Sequence, residues 1–170
     1  MLRQKKTFFS DKFRISFDLD EVLFVNPQKY KTEPPLPFPF CKHYKERLRL
    51  GTVDLIHTLQ AQDIEVWVYT SSFRSQSYIR RLFRHYGVQF DDIVNGQRHQ
   101  AEVQRDNPRI LPTKLPNRYR IALHIDDAPS VAANGKANGF DVLTIYEPDD
   151  HWTQVVLDKV AEVKKKYDTK

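Results

Sequence analysis

"RISFDLDEVLF", residues 14–24, decides how the rest of the chain is read. Its opening residues alternate and then close into apolar ones, as a buried strand does, yet the run ends on two carboxylates, Asp18 and Asp20. Side chains two apart on a strand point the same way, so both acids are predicted to reach one space beyond the strand's carboxyl end. Their mutual repulsion is unfavourable unless a cation or a shared proton offsets it. "RIALHI", residues 120–125, is predicted as another strand that finishes in the same manner, on Asp126 and Asp127. If the two strands are neighbours, several carboxylates converge at one sheet edge. Oxygen-only ligation of that kind is what a hard ion such as Mg²⁺ accepts.

Moving outward, residues 51–62 repeat apolar side chains at helical spacing (Val53, Ile56, Leu59, with Leu55 beside them), and "EVWVY", 65–69, reads as a strand rich in β-branched and aromatic residues. A strand, a helix and a strand predict a parallel pair with a crossover. Tyr78, Ile79, Leu82, Phe83 and Tyr86 make one apolar helical face, and Gly87 stands where a helix ends. A short strand over 88–94, a helix over 130–138, a turn at Gly139, a strand over 140–145 and a terminal helix striped by Trp152, Val155, Val156, Val160 and Val163 complete the pattern. Alternation of this kind predicts a three-layer α/β/α sandwich around a mainly parallel, Rossmann-like sheet. Two segments break the rhythm. Residues 26–44 hold five of the ten prolines and are predicted to be an extended, semi-rigid loop, and residues 95–112 have no firm period. Both follow strands, so both are expected at the edge where α/β proteins bind ligands.

The totals narrow the classes. A length of 170 residues, 40% of them hydrophobic, suits one domain with a sizeable core. The single cysteine, Cys41, excludes an internal disulfide, the first ten residues lack an export-signal core, and no apolar run approaches a membrane span. A soluble, cytoplasmic protein with no membrane partner is expected. The net charge of +5 is local: residues 1–50 carry 11 Lys/Arg against 6 Asp/Glu, and residues 71–120 carry 10 against 4, while residues 121–150 carry 1 against 6. That distribution would steer phosphate-bearing ligands, although a solvated basic face gives the same count.

"FDLDEVL", "VWVYTS", the lysine of "PTKLP" and "LHIDDAPS", in that order, resemble the four motifs of the haloacid-dehalogenase-like (HAD) phosphohydrolases. The likeness runs from Ile15 to about Ile145 and implies a Mg²⁺-dependent phosphatase working through an aspartyl-phosphate. It assigns Asp18 as nucleophile and Asp20 as general acid and then base. Thr70 would hydrogen-bond the phosphoryl oxygens, and Lys114 would neutralise charge there. Asp126 would ligate Mg²⁺ with Asp18 and the backbone carbonyl of Asp20, supported by Asp127. The second aspartate of the first motif, Asp20, marks phosphatases within the resemblance. Cap insertions normally lie between these motifs, but here the intervals leave room only for minimal ones, about 26–47 and 95–112, in a single domain spanning 1–170. A capless (C0-type) member with an open site suits a large phosphorylated substrate, such as a phosphoprotein or a nucleic-acid end.

Each feature also has a plainer reading. The acids could be solvated strand ends and helix caps, and Arg109, Arg118 or Arg120 could take the place of Lys114. Ser71, Ser72 and Arg74 follow Thr70 and could touch phosphate, while a serine after a strand is also a common helix cap. His57, His85, His99 and His124 are expected in structural or surface roles, and Cys41 with His43 is half of a zinc pattern. A non-catalytic phosphate- or nucleic-acid-binding module, or a polynucleotide end phosphatase, are the alternatives on the same fold. The sequence leaves substrate and oligomeric state open.

Overall fold

The computed structural model describes residues 11–145 and 148–169; the first ten residues, read above for an export signal, lie outside the described residues. The strands are β1 (Arg14–Phe17), β2 (Glu65–Tyr69), β3 (Asp92–Val94), β4 (Leu123–Asp126) and β5 (Asp141–Thr144). They form one sheet in the order β3-β2-β1-β4-β5, with every neighbouring pair parallel. The helices are α1 (Phe40–His43), α2 (Thr52–Ala61), α3 (Gln76–His85), α4 (Gly96–His99), α5 (Pro129–Asn138) and α6 (Trp152–Asp168).

Alternation along the strands divides the core in two. Ile15, Phe17, Val66, Val68, Leu123 and Ile125 pack with Leu55, Ile56 and Leu59 of α2, Ile79, Leu82 and Phe83 of α3, and Val156, Val160 and Val163 of α6. Trp67 and Tyr69 face the other way, toward Val103, Leu115, Tyr119, Val131 of α5 and Phe140. The sheet is therefore sandwiched as its pattern predicts. Because strand order reverses between β1 and β4, the crevice beyond their carboxyl ends is a topological switch point, the place where open α/β sheets hold ligands.

Several expected boundaries move. β4 begins at Leu123, not at 120, because residues 116–119 form a 3-10 turn that leaves Arg120 in the left-handed region at φ 54°. The strand expected over 88–94 shrinks to Asp92–Val94, since Val88 N–H still bonds to the Phe83 carbonyl and so caps α3. On the predicted apolar face, Tyr78 and Tyr86 are half-buried and pack against the core. Val155 leaves the predicted stripe of α6 and is exposed. The segment without a period contains α4 followed by a π-helical turn, Gln100–Gln104. Between residues 26 and 47 the chain runs mostly extended, with α1 its one short helix and a bridge from Thr32 to Arg49.

Candidate active site

Register places the acids. Phe17 of β1 pairs with Val68 of β2 on one side and Ile125 of β4 on the other, so Asp18 and Asp126 are level on adjacent strands, about 4.8 Å apart. Both end the face that carries Ser16 and His124. Asp126 is fully buried and Asp18 nearly so. The ammonium of Lys114 stands between them, with Nζ 2.6 Å from Asp18 Oδ2 and 2.5 Å from Asp126 Oδ2. Of the candidate cations, Lys114 is the one placed against both acids. Arg109 and Arg118 are exposed, and Arg120 lies near Asp11 with Nη1 3.8 Å from Oδ1.

Backbone donors hold the acids in place. Leu19 N–H donates to Asp18 Oδ1 (2.8 Å) and Ala128 N–H to Asp126 Oδ1 (2.9 Å). His124, fully buried, contacts Asp126 Oδ2 through Nε2 and Ser16 Oγ through Nδ1, each at 2.8 Å. Burial pushes the His124 pKa down, so the ring is neutral. An ionised Asp126 can only accept, so Nε2 carries the proton and Nδ1 accepts from the Ser16 hydroxyl. Burial alone would raise the Asp126 pKa, but the His124 bond and the Lys114 charge overcome it and hold this carboxyl well below its ordinary range. Lys114 shows the converse. Burial opposes its charge, yet Asp18 and Asp126 keep its pKa above the usual value. Asp127 is pushed up, first by burial and then by the negative charge of Asp126.

One oxygen each from Asp18, Asp126 and Asp127 lies within 4.8 Å of the others, and no other such metal-ligating group occurs among the described residues. Two oxygens on one Mg²⁺ at about 2.1 Å each are about 3–4 Å apart. Three carboxylates facing one lysine leave an excess of negative charge. The donor set is all oxygen and therefore fits a hard divalent cation. The side chain of Asp20 is not in this group. After Leu19 the chain turns sharply, with Leu23 and Phe24 N–H both bonded to the Leu19 carbonyl and Glu21 at φ 60°. This turn leaves the Asp20 side chain exposed, and its Oδ2 accepts from Arg74 Nη1 at 2.9 Å. The expectation that Asp18 and Asp20 share one space by strand alternation fails there because the strand has already ended.

Thr70 follows β2, one residue beyond the level of Asp18, and is buried. Its Oγ1 accepts from Ser72 N–H (3.2 Å), which leaves the hydroxyl proton to donate elsewhere. Ser72 Oγ in turn accepts from Arg74 N–H and Nη1. Arg74 Nε reaches Glu46 Oε1 (3.1 Å), and the Tyr78 hydroxyl donates to Glu46 Oε2 (2.7 Å). Sequence reasoning put none of Ser16, His124, Glu46 and Tyr78 in the site. The first two carried a signal: each is a polar residue two positions before a strand-end aspartate. Nothing in the spacing announces the other two.

Solved structures superpose on 85–90% of this chain. The fold is that of the HAD superfamily. A HAD-superfamily hydrolase of subfamily IA from Geobacter sulfurreducens superposes with a TM-score of 0.53 at 14% identity, covering 85% of this chain and 98% of the other. A putative beta-phosphoglucomutase from Thermotoga maritima gives 0.50 at 13%, with 85% and 90% covered. An uncharacterized protein from Listeria monocytogenes serotype 4b gives 0.57 at 13%, with 90% and 99% covered. No protein-family model matches the sequence, and no curated protein matches it. At these identities the HAD-like likeness concerns the fold. Among the described residues no helix is long and apolar enough to cross a membrane.

Proposed function

We propose that the chain is a Mg²⁺-dependent phosphomonoesterase that works through an aspartyl-phosphate. The observation that carries this is the Lys114 ammonium seated between Asp18 and Asp126, with Asp127 beside them. Asp18, Asp126, Asp127 and the backbone carbonyl of Asp20 would hold Mg²⁺, which offsets charge on the carboxylates and on the bound phosphoryl group.

The side chains divide the work. An anionic carboxylate approaches an anionic phosphate only where positive charge is already fixed, and Lys114 supplies it with little reorganisation. Asp18 attacks phosphorus, and the bond from phosphorus to the ester oxygen breaks. Asp20, at the solvent-facing mouth, gives its proton to the departing oxygen and takes one back from the water that hydrolyses the aspartyl-phosphate. Inorganic phosphate leaves and Asp18 is regenerated. The Thr70 hydroxyl donates to a phosphoryl oxygen throughout. The short segments 26–47 and 95–112 make this a capless member in a single domain, and its open mouth with the basic excess around it suits a large phosphorylated substrate, a phosphoprotein or a nucleic-acid end.

A phosphoester screen with Mg²⁺, with EDTA and with Asp18→Asn tests the reading. Turnover is expected with Mg²⁺, is lost on chelation, and falls about 10⁴-fold or more in the variant. Hydrolysis that survives Asp18→Asn would refute the nucleophile.

A further inference from the structure

A cavity of about 230 Å³ is lined by Ser71, Phe73, His99, Ile110, Leu111 and Thr113 among others. Its position is fixed by the chain itself. Ser71 directly follows Thr70 and Thr113 directly precedes Lys114, so its wall starts one Cα step, about 3.8 Å, from each. Gly96, also on the wall, lets the chain pack closely against Ser71 and Phe73. A Cβ there would stand 2.5 Å from the Ser71 carbonyl oxygen and 2.9 Å from the Phe73 ring.

The chemistry of the wall selects its occupant. Apart from His99, no acidic or basic side chain lines it. Tyr69 Oη accepts from Leu115 N–H (2.9 Å), so its proton goes to His99 Nδ1 at 2.6 Å. His99 also hydrogen-bonds the Pro112 backbone, and burial pushes its pKa down. The cavity floor is thus neutral and already satisfied. Gln104 braces the rim, with Oε1 accepting from Leu111 N–H and Nε2 donating to the Arg109 carbonyl. Among the described residues, Phe73 and Ile110 are two of the few exposed large apolar side chains, at 63% and 97%. Apolar surface held open by a braced rim, next to a charged site, fits an uncharged flat group better than an ion. An apolar cavity of about 150 Å³ holds a benzene ring, so this one has room for a ring and its linker.

We infer that the cavity is the subsite for the organic part of the substrate, and that it selects phosphomonoesters carrying an aromatic ring near the phosphate, with Phe73 and Ile110 as specificity-determining residues. This rests on the phosphatase reading for the placement of the phosphate, but its test does not need turnover. Calorimetric binding of benzylphosphonate and ethylphosphonate in Mg²⁺ compares two ligands with the same charged end. Wild type is expected to favour the benzyl ligand by about tenfold to a hundredfold, as burial of a phenyl ring gives. Phe73→Ser with Ile110→Ser, both exposed and so tolerated by the fold, is expected to bring the two within about threefold while leaving ethylphosphonate affinity unchanged. Equal affinities in wild type, binding of neither phosphonate, or a preference that survives the double substitution would overturn the subsite. Benzyl and ethyl phosphate hydrolysis is followed in parallel. Failure to turn over either ester while the binding preference holds supports the subsite and removes the phosphatase reading.

Discussion

Two clusters of charge meet at the carboxyl edge of the sheet, and they are built in opposite ways. Asp18, Lys114, Asp126 and His124 are buried, bonded to one another, and set by strand register. Asp20, Arg74, Glu46 and Tyr78 are half-exposed and come from loops and from a helix start, more than 20 residues apart in sequence at each loop-to-loop step. The first cluster depends on the sheet and cannot shift without it. The second faces solvent, and its contacts are set by the paths of loops. A buried, sheet-bound cluster and an exposed carboxylate are thus separated by a single turn at residues 19–24.

The comparison predicts unequal responses. The largest belongs to Lys114→Met. Removing the ammonium leaves two buried carboxylates without it, which costs about 3–5 kcal/mol of stability and about 10²–10³-fold in kcat, checked by denaturant titration and steady-state kinetics. Arg74→Gln is next, with about a tenfold fall in kcat and a stability change under about 1 kcal/mol, because its pairs face water. If the two substitutions proved equally damaging to stability, the contrast between the clusters would be wrong. The smallest effect is that of Tyr78→Phe, whose signature is its pH dependence. Burial and the Glu46 bond push the Tyr78 phenol up to about 12. Its contribution is therefore complete below the ordinary tyrosine range near 10 and is lost as pH rises toward 12. The variant is expected to flatten part of the alkaline fall in thermal midpoint while Tyr69 and Tyr119, also raised by burial, maintain the remainder.

The same contrast explains what could be read from the sequence. Strand-end aspartates sit on apolar runs whose period is two, so Asp18 and Asp126 were legible, and parallel pairing then brought them level. Lys114 was legible by order but not by geometry, since a 3-10 turn at 116–119 separates it from β4 and only the fold turns its side chain inward. Glu46 and Arg74 meet through the paths of two loops, which no local period encodes. α4 was missed although Asn95 caps it by accepting from Arg98 N–H. A four-residue helix has no room for an apolar stripe. The missing pocket signal had the same cause, as Phe73 and Ile110 are loop residues that come to line one cavity only after folding.

The phenolic oxygen of Tyr69 joins three parts of the molecule: the last residue of β2, the amide after the catalytic lysine candidate, and the imidazole beneath the cavity. Loss of this one atom would loosen the lysine arm and the cavity wall together, whereas the exposed residues 73 and 110 at the rim can change without disturbing the chain beneath them.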